Sequence, residues 1–212
     1  MFFFMGKLGQ TVDMGSEVSS PLQSIVKRLA GTAVDGPAAK LKRRFTEATN
    51  EIVVLADCSG SMTDLVGSSG ISKFRHLQIA LEDLLEGFPK VRIVAFASYS
   101  KEISNPKKLP DPSRGMGLGG GTNLAGALEV AARRKPRKTI VISDGLPDSE
   151  VAALEAAERM TGAIDTIYCG PDNHPAVEFL RKLSRQTGGQ EVTWDGRNEI
   201  SGIIRGFLPA PE

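Results

Sequence analysis

Five oxygen-bearing side chains occur at three places in the chain where they could bind one cation together. They are Asp57, Ser59, Ser61, Thr122 and Asp144. All of them offer carboxylate or hydroxyl oxygens, which are hard ligands, and the set needs no histidine or cysteine. Such a set favours Mg²⁺ or Mn²⁺ over zinc. Because only two carboxylates are supplied, the expected site keeps waters and leaves one coordination position for an outside ligand.

The segments around these residues alternate between strand and helix patterns from residue 50 onward. Short runs rich in β-branched or aromatic residues predict five strands: EIVVLAD, VRIVAFA, KTIVISD, AIDTIYCG and QEVTWD. The first three are apolar almost throughout, as strands covered on both faces are. The pattern predicts an α/β fold, a doubly wound, Rossmann-like and mostly parallel sheet with helices on both faces.

The helical patterns lie between and after these strands. They are KFRHLQIALEDLLEGF, TNLAGALEVAARR, SEVAALEAAERM, PAVEFLRKLSRQT and the weaker NEISGIIRGF. YSKEIS predicts one short antiparallel edge strand. In open sheets of this class, functional groups gather beyond the carboxyl ends of the strands. The candidate ligands follow strands or begin helices, so we expect them at that edge.

The motif D-C-S-G-S at 57–61, the threonine of GGGTNL and the aspartate of SDG resemble the metal-ion-dependent adhesion site of the von Willebrand factor type A domain, the integrin I-like fold. The resemblance covers residues 50 to about 207. It implies that Ser59, Ser61 and Thr122 bind the metal through hydroxyls. Asp57 and Asp144 would act through bridging waters, and a partner protein's carboxylate would complete the shell. The ion implied is Mg²⁺, with Mn²⁺ or Ca²⁺ as alternatives.

Each element of the motif also has a purely structural interpretation. An aspartate followed by serines often forms an Asx turn, and an aspartate after a strand often caps the next helix. Asp148 is expected to cap the helix SEVAALEAAERM in this way. Asp64 is expected to cap the turn after the loop, with a place on the rim of the metal site as the alternative.

Catalytic interpretations fit less well, so the protein is expected not to be an enzyme. A phosphoryl-transfer enzyme with Asp57 as nucleophile needs a second acid two residues later, where Ser59 stands. Neither His76 nor His174 is placed to activate Ser61. The glycine-rich segment GMGLGGG is not preceded by the strand that a dinucleotide fingerprint requires.

Composition points to an ordinary intracellular domain. The 212 residues carry a formal net charge of +1 and two cysteines, with no apolar run long enough for a membrane helix. A cytoplasmic location is expected. Residues 1–48 predict a small helical N-terminal extension, and 49–212 the main domain. The basic run AARRKPRK leaves nucleic-acid contact as a minor alternative.

The predicted function is divalent-metal-dependent protein–protein recognition, in an intracellular bacterial adaptor. The resemblance implies two settings: work with MoxR-type AAA+ ATPases, or a tellurite-resistance and stress-response system of the TerY group. Two alternatives stay open: a structural subunit whose metal only stabilises loops, and an RNA-associated protein.

Overall fold

A computed structural model of the protein describes residues 48–68, 70–114 and 118–208. Eight strands lie in these ranges: β1 (Ile52–Asp57), β2 (Leu65–Val66), β3 (Ile71–Ser72), β4 (Arg92–Phe96), β5 (Ser100–Ile103), β6 (Lys138–Ser143), β7 (Ala163–Cys169) and β8 (Glu191–Trp194). Six of them form one sheet in the order β5-β4-β1-β6-β7-β8. β5 is antiparallel to β4 and every other neighbour is parallel, while β2 and β3 pair separately as a small antiparallel hairpin.

The same ranges contain five α-helices: α1 (Lys73–Gly87), α2 (Leu124–Ala132), α3 (Glu150–Glu158), α4 (Pro175–Thr187) and α5 (Ile200–Gly206). Their ends follow local chemistry. The Ser72 hydroxyl accepts a hydrogen bond from Arg75 N at the start of α1, and Gly188 ends α4 in the left-handed conformation, with φ +80°. These helices and the main strands confirm the predicted α/β fold, including the antiparallel edge strand.

Apolar side chains alternate between the two faces of the sheet and build a core on each. On one face, Val54 packs in a buried cluster with Leu77 of α1 and Ile204 of α5. On the other, Val53 belongs to a cluster with Leu128 of α2 and the buried residues of α3 and α4. Because neighbouring residues of a strand point to opposite faces, β1 is apolar almost throughout and sits at the centre of the sheet.

The order of the strands creates a switch point between β1 and β6. From β1 the chain runs through α1 to β4 on one side, and it later returns through α2 to β6 on the other side of β1. Open α/β sheets bind ligands where the connections diverge in this way, beyond the carboxyl ends of the strands. Asp57 ends β1 and Asp144 directly follows β6, so both lie at that point.

Some predictions fall outside this description. Of the predicted helical extension at 1–48, residues 1–47 lie outside the described residues, and the boundary at 48/49 stays a prediction. In the described part of the chain, no helix is long and apolar enough to cross a membrane.

Candidate metal centre

The loop after β1 turns sharply at Asp57 and presents two serines. The Asp57 carboxylate is fully buried; its Oδ1 accepts a hydrogen bond from Ser59 N at 2.8 Å, and its Oδ2 accepts one from Ser143 Oγ at 2.5 Å. The bond from Ser59 N forms an Asx turn, so the purely structural role that the sequence allowed for this motif also occurs. The hydroxyls of Ser59 and Ser61 lie 3.1 Å apart at the start of a short 3₁₀ helix, Gly60–Thr63.

Asp144 joins this loop from the neighbouring strand. Its Oδ1 accepts a hydrogen bond from Ser61 Oγ at 2.6 Å, and its Oδ2 lies 2.7 Å from Lys73 Nζ. The Asp144 side chain is 0% exposed and that of Lys73 is 12% exposed. Four of the predicted ligands, from two adjacent strand ends, therefore form one cluster: Asp57, Ser59, Ser61 and Asp144.

Thr122 lies in a loop that is fixed to the segments following β4 and β6. Its backbone N donates to Asp148 Oδ1 at 2.8 Å, and its carbonyl accepts from Asp148 N at 3.0 Å. The Gly121 N–H donates to Ser98 Oγ at 2.9 Å. Gly119 has a φ of +91°, and a Cβ there would lie 2.5 Å from Ser98 Oγ, so this position requires glycine. Positions 115–117 of the glycine-rich segment lie outside the described residues.

The structure corrects the prediction that Asp148 caps α3. The cap is Ser149, whose hydroxyl accepts from Ala152 N at 3.2 Å. The Asp148 carboxylate instead accepts from the backbone of Thr122, 26 residues earlier. Aspartate and serine are equally good caps, so two adjacent candidates cannot be ranked from local sequence. Tertiary contact decides between them.

Lys73 and Ser143 are the residues of the site that the sequence did not predict. Ser143 directly precedes Asp144, so its nearness to Asp57 follows from the pairing of β1 with β6. Lys73 begins α1 and carries no motif signal. Asp64, for which a rim position was the alternative prediction, is 68% exposed and lies 3.5 Å from Lys73 Nζ. It therefore adjoins the site through that lysine.

Burial is the largest single influence on the pKa values of Asp57, Cys58 and Lys73. Desolvation raises the pKa of Asp57 to about 6, although the hydrogen bonds from Ser143 and Ser59 oppose it. Burial acts to lower the pKa of Lys73, but the hydrogen bonds and charges of Asp144 and Asp64 outweigh it and raise that pKa. Burial also raises the pKa of the Cys58 thiol, so this neighbour of the site stays neutral. Asp144 and Asp64 thus share the ammonium group of Lys73.

The donor set fits a small, hard dication. No group of three or more His, Cys, Asp or Glu residues suited to a metal occurs in the described part of the chain, so a site here would have to combine its carboxylates with hydroxyl ligands. Two carboxylates and clustered hydroxyls are the ligands that Mg²⁺ accepts together with retained waters. The serines, with Asp57 and Asp144, would hold the ion, while the described contacts of Thr122 are to Asp148 and its place among the ligands stays a prediction.

The basic corner between α2 and β6 lies at the opposite, amino end of the sheet. There the Arg134 guanidinium is paired with Glu102 at 2.7 Å. His174 caps α4, and the ring of His76 packs edge-on against Trp194 with centroids 5.1 Å apart. The Arg134 pair therefore lies at the other end of the sheet from the cluster formed by the serines and Asp144.

Comparison with known proteins gives relationships through structure only. No protein-family model matches the chain, and no curated protein matches it either. The conserved hypothetical protein BatB from Bacteroides thetaiotaomicron has 18% identity and a TM-score of 0.58, with 74% of this chain and 96% of that one covered. An aerotolerance-related membrane protein from Bacteroides fragilis has 15% identity and a TM-score of 0.56, with coverages of 75% and 98%.

A von Willebrand factor type A protein from Catenulispora acidiphila has 17% identity and a TM-score of 0.53 over 76% of this chain and 41% of that one. Likeness at these identities shows the fold and not the activity. The chain has a von Willebrand factor type A-like fold.

Proposed function

We propose that this protein is a non-catalytic recognition module that binds a partner protein through a divalent cation, with Mg²⁺ as the resident ion. The observation that carries the proposal is the convergence of Asp57, Ser59, Ser61 and Asp144 at the switch point of the sheet. A partner's Asp or Glu would take the open coordination position. The fold agrees with such a role, because it is the fold of known protein-interaction modules.

Exposed apolar side chains support a protein partner. Large hydrophobic residues with high exposure lie in the segments that follow β1, β4 and β6, on the same edge as the cluster. They are Leu65 (67% exposed), Tyr99 (73%), Leu146 (37%) and Val151 (67%). Protein interfaces are enriched in aromatic residues and bury apolar side chains, so exposed side chains of these types at this edge favour a protein partner. A small inorganic anion would make no use of them.

A cleft beside the site favours an acidic partner segment. It has a volume of about 340 Å³ and is lined by Thr63, Ser72, Arg75, Asp111 and Arg114 among others. Thr63 belongs to the 3₁₀ helix that carries Ser61, so the cleft adjoins the cluster. Within it the Arg114 guanidinium is paired with Asp111 at 3.3 Å, and Arg75 supplies a further positive charge. A partner chain that offers one acid to the metal can place further acids here.

The geometry of Asp57 supports recognition over phosphoryl transfer. Both of its oxygens accept hydrogen bonds within the protein, and its side chain is fully buried. A nucleophile must reach its substrate, and this carboxylate is withdrawn beneath the serine loop. Its place favours a supporting role in holding the loop and the metal's waters.

The wider setting is proposed on the resemblance alone. An intracellular adaptor in a bacterial cytoplasm, attached to an AAA+ ATPase or to a stress-response system, fits a compact module with one metal-dependent face. Capture experiments test this. The baits are the wild type, Asp57→Ala and Glu86→Ala, each used in Mg²⁺ and again in excess chelator. Glu86→Ala is the control, because Glu86 is an exposed acid on α1.

The proposal expects a partner that the wild type and Glu86→Ala retain only in Mg²⁺, and that Asp57→Ala does not retain. A partner held equally in chelator contradicts metal-dependent recognition. If Mg²⁺ raises the melting temperature but leaves all partners unchanged, the ion is structural, as in the alternative of a structural subunit.

The Asp148→Ala variant is expected to weaken Mg²⁺ binding about threefold to tenfold, because the Thr122 backbone loses the side-chain acceptor that fixes its loop. Calorimetric titration with MgCl₂ measures the affinity. Ser149→Ala is the matched control one residue later: it removes the cap of α3 and costs about 1 kcal/mol of folding free energy, with the metal affinity unchanged. Equal affinities for both variants would remove Thr122 from the proposed site.

A further inference from the structure

Lys73 occupies an unusual place for a cation. It is the first residue of α1, where the helix dipole disfavours positive charge, and the first turn of that helix contains no acidic residue. Its side chain nevertheless turns into the cluster, with 12% exposure, and its ammonium group lies 2.7 Å from Asp144 Oδ2. Asp144 is therefore the contact that holds this lysine inward.

The contact with Lys73 occupies the second carboxylate oxygen of Asp144. Ser61 Oγ donates to Oδ1 and Lys73 Nζ to Oδ2, so both carboxylate oxygens are engaged within the protein. A dication near Ser61 and Asp144 would meet an ammonium group on the same carboxylate. Like charges at such distances repel strongly in a buried site. The lysine and the metal therefore oppose one another at Asp144.

Asp64 offers Lys73 a second position. Its carboxylate is 68% exposed and lies 3.5 Å from the ammonium nitrogen. The backbone N of Lys73 also donates to Asp64 O at 3.0 Å, so the two residues stay neighbours while the side chain rotates. A rotation of the lysine side chain exchanges a buried carboxylate for an exposed one.

We propose that Lys73 is a resident counter-ion that competes with the metal for Asp144 and moves to Asp64 when the metal binds. The proposal rests on the proposed function, since it needs a cation at this site. Without metal, Asp57, Asp64, Asp144 and Lys73 carry a formal charge of −2 when ionised, and a bound dication brings the total to 0. A partner's carboxylate therefore meets net repulsion at this face without the metal and loses that repulsion when the metal is bound.

The chain contains a matched control for this pair. Lys138 Nζ lies 2.6 Å from Asp165 Oδ2, and the Asp165 side chain is 2% exposed. Lys138 begins β6, at the amino end of the sheet, away from the cluster. Lys73→Met and Lys138→Met each remove one positive charge and leave one buried carboxylate without its lysine. They differ in their distance from the proposed metal.

The test is calorimetric titration of the full chain with MgCl₂. Lys73→Met is expected to bind Mg²⁺ at least about tenfold more tightly than the wild type, and Lys138→Met to bind it as the wild type does. Lys73→Gln, which keeps a hydrogen-bond donor but no charge, is measured in parallel in case the methionine variant does not fold, as judged by circular dichroism. It is expected to bind more tightly too.

A double-mutant cycle tests the receiving position. Asp64→Asn is expected to weaken Mg²⁺ binding about threefold in the wild type, because the displaced Lys73 ammonium group loses its second carboxylate. In the Lys73→Met background the same substitution is expected to have no effect, because that ammonium group is absent. An equal effect in both backgrounds overturns the role of Asp64, since that aspartate would then act on the metal directly.

Three results overturn the role of Lys73. The first is unchanged or weaker Mg²⁺ binding by both Lys73 variants while the wild type binds. The second is equal tightening by Lys138→Met, which reduces the effect to net charge. The third is no binding by wild type or variants at millimolar Mg²⁺, which overturns the proposed function as well and makes Lys73 the permanent partner of Asp144.

Discussion

The Asp144→Asn variant is expected to bind Mg²⁺ at least about 100-fold more weakly than the wild type, a loss of about 2.7 kcal/mol. The cluster supplies only two carboxylates, and Asp144 is the one that accepts a hydrogen bond from a serine hydroxyl of the loop, Ser61 Oγ at 2.6 Å. Asparagine keeps the shape but carries no charge to balance a dication. Calorimetric titration with MgCl₂ at pH 8, above the pKa of about 6 of Asp57, measures the change.

Asp165→Asn is the control for this prediction. Like Asp144, Asp165 is a buried carboxylate paired with a lysine, at 2.6 Å, so its replacement also leaves a lysine without its partner. Removing one member of such a pair destabilises the fold. Both variants are therefore expected to melt at lower temperature than the wild type, and only Asp144→Asn to lose the metal. Mg²⁺ binding by Asp144→Asn within about threefold of the wild type would remove this residue from the site.

The convergence of the cluster was predictable because it depends on the sheet. Apolar runs mark β1 and β6 as central strands, and central parallel strands end at the same edge. Asp57 and Asp144, placed at those ends, must then approach one another, and the structure brings Ser61 within 2.6 Å of Asp144. The motif supplied the chemistry, and the alternation of strands and helices supplied the position.

Lys73 was not predictable, because its contact with Asp144 spans 71 residues and depends on how α1 packs beside β6. Nothing in the types of its neighbours marks it. The hairpin of β2 and β3 was not predicted for a related reason: strands of two residues are too short to show any periodicity in the sequence. Asp148 shows the same limit, since two equivalent caps stand side by side and only the Thr122 loop distinguishes them.

Asp57→Asn is expected to stabilise the metal-free protein at neutral pH. Burial raises the pKa of Asp57 from 3.8 to about 6, so the folded state binds its proton more tightly than the unfolded state. The stability that this group contributes is fully present below pH 3.8 and is lost as the pH rises through about 6. Because a tenfold difference in proton affinity corresponds to about 1.4 kcal/mol, the cost of the buried charge approaches about 3 kcal/mol above that pH.

Urea unfolding in chelator, from pH 5 to pH 8, measures the difference in the free energy of unfolding between Asp57→Asn and the wild type. The difference is expected to grow by about 1 kcal/mol between pH 5 and the plateau near pH 7. Mg²⁺ supplies the internal control. A bound dication offsets the buried charge of the wild type, so added Mg²⁺ stabilises the wild type more at pH 7.5 than at pH 5 and stabilises Asp57→Asn much less.

A variant that is less stable than the wild type at every pH would show that the hydrogen bonds from Ser143 and Ser59 matter more than the buried charge. The two outcomes have different consequences for the site. If the charge destabilises the metal-free fold, Asp57 stores free energy that a cation releases on binding. If the hydrogen bonds dominate, the main function of Asp57 is to hold the serine loop in place, and Asp144 supplies the electrostatic attraction for the metal.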